Sequence, residues 1–219
     1  MIAIPANVGQ LMAALAERGH AAYAVGGCVR DSLLEILPGD WDVATSAHPE
    51  AVIEIIGGEA TGPKYGTVTV RGVQVTTFRR EGRYTDHRRP DSVEFIPDLE
   101  TDLARRDFTV NAMAADRDGG VVDLFGGRDD IKSKIIRAVG DPYRRFNEDA
   151  LRILRALRFA SALDFSVEEQ TRAALLEHAD TLRYLTKKVT ARELEKLRAG
   201  PGAERIIQDF KPIFQSVRC

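Results

Sequence analysis

The sequence predicts an α+β protein: a domain of mixed strands and helices over residues 1–140, followed by an all-helical domain over residues 141–219. Short segments rich in β-branched residues alternate with amphipathic helical segments up to about Pro142. Beyond that point the strand signals stop, and apolar residues recur only at the spacing of a helix. A chain of 219 residues is long enough for one large or two small domains, each with a hydrophobic core.

The α/β domain begins with a helix, which is predicted from apolar residues at helical spacing before Gly19: Val8, Leu11, Met12 and Leu15. A short buried strand, AAYAV, then runs to Gly26-Gly27, and the helix CVRDSLLEIL follows until Pro38-Gly39 ends it. The segment DWDVAT is typical of a second strand, and Ser46 can cap the next helix.

Two predicted hairpins make up much of the remaining α/β domain. The segments GTVTV and VQVTTF are rich in β-branched residues and flank the tight turn Arg71-Gly72. The segments AMAAD and VVDLF flank RDGG in the same way. Between the hairpins, the charged segment Arg80–Asp91 lacks apolar periodicity and is predicted to be a mobile loop. The strand VEF and a helix capped by Asp98 follow this loop.

The helical domain is predicted from an apolar stripe and from helix boundaries. One stripe is expected to consist of Phe146, Ala150, Ile153, Leu154 and Leu157. Ser166 and Glu169 fit a capping box at the start of the next helix. The segments TARELEKLRAG and AERIIQDFKPIF are expected to form two further helices.

The composition argues against several classes of protein. The formal net charge is −2, so any nucleic-acid partner must be held by local basic patches. Cys28 and Cys219 lie far apart, which argues against a zinc site or a disulfide framework. The chain shows no signal-peptide pattern, and no apolar run approaches the ~20 residues that span a bilayer. We therefore expect a cytoplasmic protein without a membrane partner.

Two aspartates near the start of the second predicted strand are candidates for chemistry. Side chains alternate along a strand, so Asp40 and Asp42 should point to one face, with Cα atoms roughly 6.6 Å apart. That spacing suits Mg²⁺, which favours one or two carboxylates together with substrate phosphates. Gly26 and Gly27 should lie at the end of the neighbouring strand, where backbone can approach phosphate closely. The alternative is a glycine turn beside two exposed aspartates without a metal role.

A series of motifs resembles one known family. The segments GGCVRD and DWDVATSAHPE are similar to the nucleotidyltransferase motif of class II CCA-adding enzymes and bacterial poly(A) polymerases. Further similar motifs follow in the family's order over roughly residues 20–165: YGTVTV, VQVTTFR, RRDFTVNAMA, DLFGGRDDI and IRAVGDPYRRFNEDALRILRALRFA. The segment GPKYGTVTV resembles the CCA-adding branch more than the poly(A) branch.

The resemblance implies both a fold and an activity. The fold would be a polymerase-β-like nucleotidyltransferase head followed by a helical, nucleotide-selecting neck. The activity would be addition of C, C and A to tRNA 3′ ends from CTP and ATP, with Mg²⁺ and without a nucleic-acid template. Asp40 and Asp42 would be catalytic and hold the metal. The residues implied to bind the nucleotide are Gly26, Gly27, Arg30, Arg106, Asp107, Asp149, Arg152, Arg155 and Arg158.

Within that set, Asp107 lies where the family monitors the ribose, and Asp149 with Arg152 would read the base edge. Residues three apart on a helix are neighbours, so this pair would offer acceptors and donors in one plane. Cytosine and adenine both carry an exocyclic amine beside a ring-nitrogen acceptor, which suits this pair, whereas uracil and guanine would present a carbonyl beside a ring N–H, which mismatches it. The alternatives are an ordinary surface salt bridge and, for Arg152, Arg155 and Arg158, a solvated face.

Other residues give weaker or contrary signals. Arg83, His87, Arg88 and Arg89 could contact RNA or nucleotide from the predicted loop, or could be solvated loop charges. Many relatives carry glutamate at the position of Gln74, where an amide cannot supply the charge of a third metal ligand.

The motifs that resemble the family end in the neck. We therefore expect its body and tail domains to be absent and whole tRNA to bind weakly. Two rival hypotheses remain. One is an enzyme that adds only A or poly(A), and the other is a non-catalytic protein that binds nucleotide or RNA.

Overall fold

The computed structural model describes residues 1–216, which divide into two compact units; Cys219 lies outside the described residues. The first unit comprises Met1–Gly82, Ser92–Arg106 and Val110–Arg128. The second comprises Arg83–Asp91, Asp107–Thr109 and the chain from Asp129 onward. The chain therefore passes between the units several times. A division into a head and a neck domain at residue 140 stays a prediction.

A seven-stranded sheet organises the first unit. The strands of this unit are β1 (Ala22–Val25), β2 (Asp42–Thr45), β3 (Glu59–Gly62), β4 (Thr67–Val70), β5 (Val73–Thr77), β6 (Arg79–Glu81), β7 (Val93–Phe95), β8 (Met113–Ala115) and β9 (Val121–Asp123). Their order in the sheet is β3-β4-β5-β2-β1-β8-β9. The β2–β5 pair is parallel and the other neighbours are antiparallel. Strands β6 and β7 pair separately.

Both predicted hairpins are confirmed, as β4–β5 and β8–β9. Arg71 and Gly72 both adopt positive φ, +50° and +84°, which is the geometry of a two-residue turn matched to strand twist. The predicted loop is partly wrong, because Arg80 and Glu81 belong to β6 and pair with β7. Local turn chemistry was readable from the sequence, whereas the β6–β7 pairing joins segments separated by the loop.

Four helices pack with this sheet: α1 (Ala6–Glu17), α2 (Gly27–Leu33), α3 (Pro49–Ile56) and α4 (Leu99–Ala104). The predicted apolar face of α1 is confirmed as buried. Asp98 caps α4 as predicted, since its carboxylate accepts the N–H of Thr101 at 2.8 Å. Helix α2 ends at Leu33, earlier than the predicted stop at Pro38. Glu35, shortly after the helix, adopts a left-handed φ of +58°. Ser46 does not cap α3, because its hydroxyl oxygen accepts the N–H of Ala21 instead.

The second unit is mostly helical. Helix α5 (Gly127–Ser133) begins in the first unit and ends in the second. The elements that follow it are β10 (Ile135–Ile136), α6 (Pro142–Glu148), α7 (Leu151–Leu163), β11 (Ser166–Val167), α8 (Glu169–Glu177), α9 (Lys187–Arg198), α10 (Ala203–Asp209) and α11 (Lys211–Ser216). The short strands β10 and β11 pair in parallel. The predicted fold class, a mixed sheet with helices followed by helical elements, is confirmed. Among residues 1–216, no helix is both long and apolar enough to cross a membrane.

Three predictions for the helical part need correction. The apolar stripe is buried but divides between two helices, since Phe146 lies on α6 and Ile153 on α7. The capping box is wrong, because Ser166 is part of β11 and the carboxylate of Glu168 accepts the N–H of Thr171. The segment AERIIQDFKPIF forms two helices, α10 and α11, and Pro212 at the joint cannot donate a helical hydrogen bond.

Candidate active site

Asp40 and Asp42 lie at the entry to strand β2, in the middle of the sheet. Asp42 is the first residue of β2 and Asp40 precedes the strand; both are exposed to solvent. In the sheet register, Asp42 pairs with Val25 of β1 on one side and with Gln74 of β5 on the other. Residues paired in register point to the same face of a sheet, so the amide of Gln74 accompanies the Asp42 carboxylate.

The electrostatics of Asp42 favour a cation. Desolvation by the surrounding protein raises the pKa of this carboxyl above its ordinary value, although the residue keeps an exposed surface. The Arg106 guanidinium opposes that shift, while repulsion from Asp40 adds to it. Two carboxylates that repel each other are stabilised by a divalent ion bound between them.

The available oxygen donors fit Mg²⁺ with part of its coordination supplied from outside the protein. Within residues 1–216, no group of three or more His, Cys, Asp or Glu side chains is placed to hold a metal. Asp40 and Asp42 are the candidate acidic donors, and Gln74 lies beside Asp42 as a neutral amide. Mg²⁺ usually takes one or two carboxylates and completes its octahedron with water and substrate phosphates.

Gly26 forms a turn directly beside Asp42. It follows strand β1, precedes helix α2 and has φ +81° and ψ −132°, a conformation that residues with a Cβ rarely adopt. A Cβ at this position would lie 3.1 Å from Nη1 of Arg106. The N–H of Gly26 donates to the carbonyl of Met113, so this glycine contributes space rather than a free donor. Gly26, Asp42 and Arg106 are thus brought together in the first unit.

Arg106 is only partly satisfied by the protein. Its Nη2 donates to Oδ2 of Asp102 at 3.2 Å. Its Nε is buried and has no hydrogen-bond partner among the described residues. A buried N–H without a partner is costly, and an anion bound at the glycine turn would relieve that cost.

Arg30, unlike Arg106, has several side-chain partners within the first unit. It is buried, donates from Nε and Nη2 to Oδ1 of Asp31 at 2.9 and 2.7 Å, and also donates to Oδ1 of Asn111. Its side chain also passes near Gly27, where a Cβ would lie 3.5 Å from Nη2. These bonds fix α2 against the segment after α4. A contact between Arg30 and a nucleotide stays a prediction.

The second unit brings together another group of predicted site residues. Asp107 is 8% exposed and accepts from Arg155, with Oδ2 at 2.6 Å from Nε. Arg158 forms an ion pair with Glu193 at 3.2 Å and lies over the Phe159 ring. Arg152, Arg155 and Arg158 therefore do not form a solvated face, which removes that alternative.

The structure corrects the placement of Asp149. This residue does not share a helix with Arg152: it follows α6 in an extended conformation, with φ −138° and ψ 105°. Its Oδ1 accepts the N–H of Leu151 at 2.9 Å, and its Oδ2 accepts from Arg88 at 3.2 Å. Burial raises the pKa of the Asp149 carboxyl, and the positive charge of Arg88 opposes that shift more than those of Arg152 and Arg155 do.

Arg152 is not part of an ordinary surface salt bridge either. It is 6% exposed, and its Nη1 donates to Glu148 at 2.8 Å and to the carbonyl of Arg145 at 3.1 Å. Its guanidinium lies over the ring of Tyr84, 5.7 Å from the centroid. Asp149 and Arg152 are nevertheless neighbours, since the backbone N–H of Arg152 donates to the carbonyl of Asp149 at 3.0 Å at the start of α7.

Sequence analysis left the role of residues 83–91 open and missed their contacts with the helical part of the chain. This segment belongs to the second unit. In addition to the Arg88–Asp149 pair, Nδ1 of His87 lies 2.7 Å from the carbonyl oxygen of Asn147, which can accept its proton. The His87 ring also stacks on the ring of Tyr184. Arg88 is therefore not a solvated loop charge, whereas Arg83 and Arg89 are exposed. Aromatic residues interleaved with arginines in RYTDHRRP were the available signal.

Comparison with family profiles defines the class to which this protein belongs. The chain belongs to the family described as the Poly A polymerase head domain, whose profile matches residues 22–137. Among curated relatives, the CCA-adding enzyme of Anoxybacillus flavithermus is 49% identical over 198 residues, which cover 88% of this chain and 50% of the relative. That of Lactobacillus helveticus is 47% identical over 201 residues, with coverages of 90% and 50%. The chain thus spans about half the length of the curated relatives it matches.

Solved structures give the same result. The Bacillus stearothermophilus CCA-adding enzyme in complex with CTP matches with a TM-score of 0.83 and 42% identity, over 91% of this chain and 49% of that one. The Thermotoga maritima CCA-adding enzyme complexed with tRNA matches with a TM-score of 0.75 and 28% identity, over 95% and 50%.

Proposed function

We propose that this protein is a CCA-adding nucleotidyltransferase of the cytoplasm, which extends tRNA 3′ ends with C, C and A from CTP and ATP, with Mg²⁺. The observation that supports this most is the grouping of Asp42 with Asp40, Gly26 and Arg106 on the sheet of the first unit. It occurs in a chain that is 49% identical, over most of its length, to a CCA-adding enzyme.

The reaction needs charge neutralisation and positioning rather than a covalent enzyme intermediate. The RNA 3′-hydroxyl oxygen forms a bond to the α-phosphorus of the nucleotide, and the bond from that phosphorus to the bridging oxygen breaks. Pyrophosphate leaves, and the hydroxyl proton passes to solvent. Bound Mg²⁺ would supply positive charge for the attacking and leaving oxygens.

The residues of the first unit would each contribute to this step. Asp40 and Asp42 would hold the metal at the start of the central strand β2. Gly26 would let the triphosphate approach the backbone beside Arg106. A residue with a Cβ there would contact the Arg106 guanidinium and occupy that space. Arg106, whose buried Nε lacks a partner in the described chain, would bind a phosphate oxygen.

The second unit would select the base. The Asp149 carboxylate can accept from the exocyclic amine of cytosine or adenine, since its two oxygens offer about four acceptor positions. Two of these are used by Leu151 and Arg88. The guanidinium of Arg152, held by Glu148 and Arg145, would donate to the ring nitrogen beside that amine.

The test is extension of a tRNA transcript that ends at the discriminator base, incubated with CTP, with ATP, or with both, at low salt. The proposed function predicts addition of two residues with CTP alone, three with both nucleotides, and none with ATP alone. Extension with ATP alone would support the rival enzyme that adds only A. An absence of extension while CTP still binds would support the non-catalytic alternative.

Gly26→Ala is expected to lower both stability and CTP affinity. The backbone conformation alone should cost about 1–3 kcal/mol, because residues with a Cβ are strained there. The methyl group should also displace Arg106, which lies 3.1 Å from its position, and so weaken CTP binding by roughly tenfold. The control is Gly72→Ala, at φ +84° with no atom within 4 Å of the added Cβ.

Thermal unfolding and calorimetric titration of CTP with Mg²⁺ measure the two effects. Both variants should unfold at lower temperature, and only Gly26→Ala should lose CTP affinity. Equal CTP affinity in the two variants would contradict the placement of the phosphates beside Gly26.

A further inference from the structure

A buried carboxylate in the first unit connects two neighbouring arginines. Asp102 on α4 has no exposed surface. Its Oδ1 accepts from Nε and Nη2 of Arg105, at 3.0 and 2.8 Å, and from the backbone N–H of Arg79 at 3.2 Å. Its Oδ2 accepts from Nη2 of Arg106 at 3.2 Å. Each oxygen of this carboxylate therefore serves a different guanidinium.

The two arginines differ in how completely the protein satisfies them. Arg105 also donates from Nη1 to Glu81 at 3.2 Å, so two carboxylates hold it. For the Arg106 side chain, Asp102 is the one hydrogen-bond partner within the part of the chain that the structure describes. Its Nη1 lies against the Gly26 turn, and its charge acts on Asp42. The orientation of Arg106 thus depends on Asp102, whereas Arg105 has a second anchor.

We propose that Asp102 is a positioning residue for nucleotide binding, which holds the Arg106 guanidinium beside the Gly26 turn so that it can bind the triphosphate. This proposal rests on the proposed function. Asp102 is fully buried and acts only through Arg106. A long arginine side chain loses considerable conformational entropy when it becomes fixed. Because Asp102 fixes Arg106 when the protein folds, nucleotide binding does not incur that loss again.

The charge state of Asp102 agrees with this role. Burial by itself would raise the pKa of this carboxyl, but Arg105 and Arg106 together with the hydrogen bonds lower it below the ordinary value. Asp102 is therefore ionised at neutral pH and gives Arg106 a charge-assisted hydrogen bond.

The test compares Asp102→Asn with Arg105→Gln by calorimetric titration of CTP with Mg²⁺ and by thermal unfolding. Both changes disrupt the same buried network and should lower the unfolding temperature. Only Asp102→Asn should weaken CTP binding, by roughly tenfold, because only it releases Arg106. Arg105→Gln should bind CTP within about twofold of the unchanged protein. If Asp102→Asn does not fold, Asp102→Ser, which leaves room for a water molecule, replaces it.

A double-variant cycle separates positioning from general damage. Arg106→Gln should weaken CTP binding as much as Asp102→Asn does, and the double variant should be no weaker, because both act through one guanidinium. The role of Asp102 would be overturned if the affinity losses of Asp102→Asn and Arg106→Gln added in the double variant. It would also be overturned if Arg105→Gln lost as much CTP affinity as Asp102→Asn for the same loss of stability. If the unchanged protein does not bind CTP, the proposed function itself fails and this proposal with it. If it binds CTP and Asp102→Asn binds equally well, only the positioning role fails.

Discussion

Replacing Asp42 with asparagine is expected to reduce nucleotide addition by roughly 1000-fold or more, about 4 kcal/mol of transition-state stabilisation. An amide keeps the size of the side chain but loses the charge that a divalent ion requires. The neighbouring position in the register is already an amide, Gln74, so the variant would keep only Asp40 as an acidic donor. Gel-based primer extension of a tRNA transcript measures the effect.

The same substitution should not destabilise the fold. The pKa of Asp42 is raised in the folded protein, so the stability that this carboxyl contributes is present at pH below its unfolded pKa and is lost as pH rises through the folded pKa. At neutral pH the ionised form is therefore unfavourable, and Asp42→Asn should unfold at the same or a higher temperature.

A matched control for this prediction is Asp118→Asn, since the Asp118 side chain is 86% exposed on the turn between β8 and β9. It should keep full activity. Unchanged activity in Asp42→Asn would exclude the metal mechanism and favour the non-catalytic alternative.

Replacing Asp149 with asparagine is expected to reduce discrimination against UTP by about tenfold, the value of one mismatched hydrogen bond in a partly buried site. Asparagine can donate to the carbonyl of uracil, whereas the aspartate can only accept. The mismatch between Arg152 and the ring N–H of uracil would remain, so selection should fall without disappearing. Competition between UTP and CTP for incorporation measures the ratio.

The matched control is Asp141→Asn. Asp141 also accepts the N–H of the residue two positions later, that of Tyr143 at 3.0 Å, just as Asp149 accepts that of Leu151. Both substitutions alter a carboxylate that accepts the N–H two residues later, close to the start of a helix, but only Asp149 is proposed to contact the base. Loss of selection in both variants would indicate structural damage rather than base recognition.

Selection should also depend on pH. Because burial raises the pKa of Asp149, the carboxylate should become protonated at a higher pH than an ordinary aspartate as the solution is acidified. A protonated carboxyl can donate to uracil, so discrimination should weaken on the acid side. Arg88→Gln should move this change to still higher pH, because Arg88 opposes the shift. A selectivity ratio that is constant down to the pH where activity ends would contradict this assignment.

The parts of the fold that the sequence predicted well are those set by neighbouring residues. The β4–β5 hairpin follows from β-branched arms and a Gly-containing turn, and the α4 cap follows from Asp98 and the helix after it. The helix break at Asp149 could not be predicted in this way. The N–H of Ala150 donates to the carbonyl of His87 at 2.9 Å, so a segment distant in sequence overrides the apolar periodicity there.

The candidate site shows the same limit. The placement of Asp42 beside β1 and β5 could be expected from the sequence, because the motifs that contain Gly26 and Gln74 lie on or directly after those two strands. The ties of Arg30 to Asn111 and of Arg106 to Asp102 were not, since residue type alone does not distinguish an arginine held by buried partners from one left to bind a ligand. The same holds for Ser46, whose partner Ala21 is distant in sequence and precedes β1.

A crystal structure with CTP and Mn²⁺, located by its anomalous scattering, tests the central claim most directly. The account predicts metal density bound by Asp40 and Asp42, with the triphosphate beside the Gly26 turn and an oxygen within hydrogen-bond distance of Arg106. Triphosphate bound elsewhere, or metal density away from both carboxylates, would contradict the account.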